Sequence, residues 1–268
     1  MNELFFITCL AIGLVSGFLG GLLGIGGGIV IVPMLIMLFD GLGLFSIEHS
    51  TAVAVATSLT CIIFTSVSAA YAQVKADRVE WPIVRKWATP IVLGALLAGY
   101  VAPQLPMPVF RSFIGVFLGF VSIVMLTNWK PDPHRQFPGF VPAGGIGVGA
   151  GLVSGIAGIG GGNVMVPTMI FFNIPVHRAT ATSSCLGVPL ATAGALGYIL
   201  FAQDFVPRPD YMLGYVHLPS FLAVVSGVVV AAPLGVRTAH RIQPQPLRRL
   251  FGVLLILAAL GMVYSAFS

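Results

Sequence analysis

Gly24-Ile25-Gly26-Gly27-Gly28-Ile29-Val30-Ile31-Val32-Pro33 breaks one long apolar run of the chain, and Gly158-Ile159-Gly160-Gly161-Gly162-Asn163-Val164-Met165-Val166-Pro167 breaks another. Neither cluster continues a helix comfortably, because each Gly costs about 1 kcal/mol relative to Ala in a helix interior. In lipid, backbone outside a helix is tolerated only where it is buried in protein or lines a cavity. Two breaks at matching places in two halves of a chain point to a transporter binding site.

The flanking sequence demands a membrane. The chain has 268 residues, of which 57% are hydrophobic and 8% charged, against about 25% charged in an ordinary soluble domain. Its apolar residues fall in runs long enough to span a hydrocarbon core of roughly 30 Å. The expected fold class is therefore all-α, a polytopic integral membrane protein with short loops. The formal charge of +5 does not indicate nucleic acid, since no basic stripe with interleaved aromatics accompanies it. Cys9, Cys61 and Cys185 lie far apart in apolar segments without metal-ligand spacing, so no metal and no cofactor is expected. The start, Met1 to Phe6, has neither a basic region nor a small-residue cleavage site, and the first run reads as a helix of the mature protein.

The duplication reaches beyond the glycines. Gly13-Leu14-Val15-Ser16-Gly17 returns as Gly151-Leu152-Val153-Ser154-Gly155, and Ala56-Thr57-Ser58 as Ala181-Thr182-Ser183. The chain divides into a first membrane repeat at 1–128, a cytoplasmic linker at 129–139 and a second membrane repeat at 140–268. Charge sets their relative orientation. In the first repeat the basic loop is 74–86, whereas in the second it is 237–249, one helix later. That switch is what an inverted repeat requires under the positive-inside rule. Threading with each Gly-broken segment as a hairpin places eleven of the thirteen Lys and Arg in the cytoplasm, leaving out Arg111 and Arg208. Both termini then lie outside the cell. The hairpins read equally as re-entrant or as two full spans, which gives roughly eight to ten membrane segments.

The unwound breaks leave N–H groups of the following half-helix unpaired, and with the helix dipole these attract an anion. The candidate substrate-binding residues are Gly26, Gly27, Gly28, Thr57 and Ser58 in the first repeat. In the second they are Gly160, Gly161, Gly162, Asn163, Thr182 and Ser183. Glu48, His49 and His177 stand just before the following helices and are the candidates for carrying a coupling proton. No nucleophile–base–orienter set appears, so an enzyme is not expected.

The paired segments Gly17 to Pro33 and Gly151 to Pro167, each followed by Ala-Thr-Ser in the next helix, resemble the TauE/SafE family of membrane permeases, the sulfite exporter family. The resemblance covers essentially the whole chain. It implies a secondary transporter for a small sulfur-containing anion (sulfite, a sulfonate or a related organosulfur compound) in the bacterial inner membrane. Asn163 stands opposite Ile29, so the two breaks are not chemically equivalent. No ATP-binding motif is present, so the expectation is export by alternating access, driven by a gradient or the membrane potential. The rivals are a proton-coupled importer of a small thio-compound and, further off, an intramembrane enzyme or a structural subunit. The expected partners are the substrate, the lipid bilayer and coupling protons, with no nucleic acid. The oligomeric state is not legible.

Overall fold

The computed structural model describes residues 3–23, 27–127, 140–202, 210–239 and 244–267. Gly24, Ile25, Gly26 and the linker 129–139 lie outside the described residues. The first repeat supplies α1 (Glu3–Leu23), α2 (Gly28–Leu42), α3 (Ile47–Lys75), α4 (Trp81–Val101) and α5 (Met107–Thr127). The second supplies α6 (Phe140–Ala157), α7 (Gly162–Phe171), α8 (Val176–Leu200), α9 (Leu218–Ala239) and α10 (Pro244–Phe267). Between α8 and α9, Met212–Leu213 and Val216–His217 form a small antiparallel hairpin, the sheet found among the described residues. The chain is thus all-α and polytopic.

Local chemistry explains the boundaries. Helix α3 runs for 29 residues without a Gly or Pro. Helix α2 ends where Gly43 adopts φ 58° and the N–H of Leu44 reaches back to the Phe39 carbonyl at 3.1 Å, a Schellman closure. Helix α7 ends the same way on Asn173, φ 65°, with Ile174 N–H bonded to the Met169 carbonyl at 3.0 Å. Helix α4 starts at Trp81, earlier than the apolar run implies, because Pro82 suits a first helical turn. Arg85 and Lys86 therefore belong to that helix and not to a loop.

Five described helices are long and apolar enough to cross a membrane: α1, α3, α5, α8 and α9. On α5, Val116, Phe120 and Ile123 face outward while Ile114, Leu118 and Val121 are buried. A helix that is apolar on both its buried and its exposed face is a membrane span. The return arms α2 and α7 are about 22 and 15 Å long, short of the roughly 30 Å core. Each Gly-broken unit therefore pairs a long first arm with a half-helix.

Close approaches set the helix directions. Gly13 meets Val224 and Gly21 meets Ala232, so α1 and α9 run parallel. Gly94 meets Val148 and Gly155 meets Ala98, so α4 and α6 run parallel. Leu59 packs on Gly194 and Ser66 on Gly187, which makes α3 and α8 antiparallel. Cys61 contacts the Phe221 carbonyl about one turn into the pairing that starts at Thr57 and His217, so α3 runs with α9. Likewise α4 runs with α8, from Glu80–Thr182 to Leu96–Gly197. Helices α1, α3 and α9 consequently point one way, and α4, α6 and α8 the other. Each helix opposes its counterpart, the geometry of an inverted repeat.

The repeats do not pack as separate bodies. Helix α4 of the first repeat lies on α6 and α8, and α9 of the second lies on α1 and α3. Two four-helix groups result, α1–α3 with α9 and α6–α8 with α4, while α5 and α10 pair antiparallel beside them. The α3–α8 contact joins the groups at the centre.

Candidate functional site

Helix α6 stops at Gly158, φ 69°, with Ile159 N–H bonded to the Ser154 carbonyl at 3.0 Å. Gly161, φ 73°, then caps α7, its carbonyl accepting the N–H groups of Val164 and Met165. A side chain at this φ would be strained, so the turn needs Gly. The N–H groups of Gly162 and Asn163 are left as the orphan donors of the helix start. The first break repeats this chemistry. Gly27, φ 74°, caps α2 and accepts from Val30 and Ile31, leaving Gly28 and Ile29 as the orphans.

The two breaks meet. A Cβ on Gly28 would lie 2.9 Å from the Gly158 carbonyl oxygen, and one on Gly158 would lie 2.7 Å from Val32 Cγ2. Ile62 of α3 touches both Gly28 and Gly160. From α3, Ser58 donates its hydroxyl to the Gly158 carbonyl at 3.0 Å. From α8, Gly187 approaches the Gly160 carbonyl and Ser66 Oγ. The second break is thus clamped between α2, α3 and α8.

Asn163 is the second residue of α7. It is 8% exposed, and its Nδ2 has no acceptor among the described residues. A buried amide without an acceptor costs about 1–3 kcal/mol, and this one is free to donate. Ser183 is 3% exposed. The Oγ of Ser154, just before the break, is buried without a partner there as well.

Thr57 and Thr182 serve differently from the serines. Thr57 Oγ1 accepts the backbone N–H of His217 at 3.2 Å, and Thr182 Oγ1 accepts that of Glu80 at 3.0 Å. Each hydroxyl fastens the start of a packed helix. Glu48 and His177 are exposed, in the first turns of α3 and α8, which lie at opposite ends of the antiparallel pair. His49 is half-buried with its ring 6.1 Å from that of Tyr215. None of the three is brought to the breaks. Gly26 lies outside the described residues.

Two features were not singled out from sequence. Arg111, 3% exposed, pairs with Asp40 Oδ2 at 2.7 Å and also donates to Thr51, Ser50 and the Ser265 carbonyl. It ties α2, α3 and α10 to its own helix α5. The signal was its place as a cation outside the cytoplasmic set. His217, at the end of the small hairpin, has its ring within 6.1 Å of Phe5, Phe39 and Phe45, and its Nδ1 shares a 2.8 Å hydrogen bond with Ser220. Burial pushes the His217 imidazole down to about 4. Nothing local in the sequence marks it, since the contacts come from distant segments.

Comparison with known proteins agrees with this architecture. The family model described as "Sulfite exporter TauE/SafE" matches residues 9–262. A "probable membrane transporter protein" of Haemophilus influenzae is 29% identical over 96% of this chain and 98% of its own length. YunE of Bacillus subtilis, described in the same words, is 28% identical over 97% of each chain. A third, from Methanocaldococcus jannaschii, is 27% identical over 94% of this chain and 93% of its own. The chain belongs to the TauE/SafE sulfite exporter family and is a multi-pass membrane transporter.

Proposed function

We propose that the protein is a secondary permease that moves a small sulfur-containing anion, sulfite or an organosulfonate, across the plasma membrane, outward. The observation that carries this reading is the unpartnered amide of Asn163 at the start of α7, where the two breaks meet. The family description supplies the sulfur oxyanion. The anion lies against Gly27 and Gly28 on one side and Gly160, Gly161, Gly162 and Asn163 on the other. Ser183 adds a hydroxyl, Ser58 holds the Gly158 carbonyl of the second break, and Thr57 and Thr182 hold the surrounding helices.

Access alternates as α1–α3 with α9 moves against α6–α8 with α4. The repeats 1–128 and 140–268 are the evolutionary units in this account, and the four-helix groups are the mechanical ones. The positive-inside rule puts the linker in the cytoplasm and both termini outside. With an inside-negative potential, each exported negative charge gains about 2.3 kcal/mol per 100 mV. No coupling proton is needed for that direction, and Glu48, His49 and His177 stand away from the breaks.

The test is efflux of labelled sulfite from sealed liposomes containing the purified protein, with potential imposed. Efflux above that of empty liposomes, accelerated by an inside-negative potential, is expected. Absence of flux for sulfite and for simple sulfonates would overturn the reading.

A further inference from the structure

The donors at the breaks are all neutral: an amide, hydroxyls and backbone N–H groups. The positive field there comes from the starts of α2 and α7, each equivalent to roughly half an elementary charge. Two such ends sum to about one charge. Formal cations are held elsewhere. Arg111 is paired with Asp40, and Asp40 lies about 18 Å along α2 from Gly28. Arg178, in the first turn of α8, is paired with Glu80 at 2.6 Å. The other described Lys and Arg lie in a loop, in the last turn of a helix or within the first two turns of one.

Resting on the transport reading above, we infer that this site accepts a singly charged oxyanion head, a sulfonate or hydrogensulfite, and excludes a doubly charged centre such as sulfate. The electrostatic cost of taking an ion from water into a buried site grows with the square of its charge. The attraction of a fixed dipole field grows only in proportion to that charge. A single negative charge is matched by the two helix ends. A second on the same centre meets no additional positive charge, and it must still shed its water. Asn163 sharpens the distinction, because its amide offers hydrogen bonds without charge, and its counterpart Ile29 offers none.

The experiment compares methanesulfonate and sulfate, whose charges do not change across the neutral range, as labelled substrates in the same proteoliposomes. Wild-type protein is expected to move methanesulfonate at least about tenfold faster, a difference of about 1.4 kcal/mol. Asn163→Lys supplies the missing charge and is expected to raise the sulfate-to-methanesulfonate ratio. Sulfate moving as fast as methanesulfonate in the wild type would overturn the charge selection and leave the transporter reading intact. Flux of neither anion would overturn the charge selection, and the transporter reading falls with it only when sulfite does not move either. The wild-type comparison decides even where the variant does not fold.

Discussion

Thr182 Oγ1 accepts the backbone N–H of Glu80 at 3.0 Å, fastening the start of α4 to α8. Its counterpart Thr57 does the same for His217 and the start of α9 at 3.2 Å. The bond thus occurs once per repeat, at the two helices exchanged between them. Thr182→Val keeps the side-chain shape and removes the acceptor. The expected cost is about 1–3 kcal/mol, that of a buried N–H left unpaired. Thermal unfolding in detergent should show a lowered midpoint for Thr182→Val and Thr57→Val and a wild-type midpoint for Thr→Ser. If these hydroxyls bound substrate instead, valine would weaken transport affinity with no change in the midpoint.

The exchanged helices also touch backbone to backbone. A Cβ on Gly13 would collide with the Val224 carbonyl, and one on Gly94 with the Val148 carbonyl. Neither carbonyl can move without displacing its helix. Gly13→Val and Gly94→Val are each expected to destabilise by about 1–3 kcal/mol or more, read as a lowered unfolding midpoint. The same change at Gly119, which has open space around it, should be neutral.

Buried Arg111 and partly buried Asp40 form an ion pair that joins four helices at one end of the molecule. Removing one partner strands the other, which typically costs 3–5 kcal/mol. Arg111→Met should therefore lower the unfolding midpoint strongly, and Arg111→Met with Asp40→Leu should recover much of the loss. A double variant as unstable as the sum of both single ones would contradict this account.

His217 gives a pH dependence with a definite sign. Its imidazole is pushed from 6.5 down to about 4 by burial, so the unfolded chain takes up the proton first as pH falls. Stability is full above about pH 6.5 and is lost between about 6.5 and 4. His217→Phe preserves a ring beside Phe5, Phe39 and Phe45 and removes the proton site. Unfolding midpoints measured across this range should fall less steeply for the variant than for the wild type.

Much of the fold was legible because it rests on local signals. Glycine clusters cannot propagate a helix in lipid, and the side on which Lys and Arg collect orients each span. Those two signals were enough for roughly eight to ten membrane segments and an inverted arrangement. The exchange of α4 and α9 was not legible, because Gly94 facing Val148 and Gly13 facing Val224 are relations across the chain that no local pattern encodes. At the candidate site, Asn163 was visible as a departure from Ile29. The different service of Thr57 and Ser58, adjacent in sequence, was not. One faces a helix start and the other a break, and only packing decides which.

In the proposed transport cycle the paired breaks bind and pass a small sulfur anion. Sulfite-jump currents on a solid-supported membrane bearing the purified protein test it most directly, compared among wild type, Asn163→Leu and Gly161→Leu of equal insertion. The account predicts a sulfite-dependent transient in the wild type that is strongly reduced in Asn163→Leu and absent in Gly161→Leu. Wild-type currents from both variants, or no current from the wild type, would contradict it.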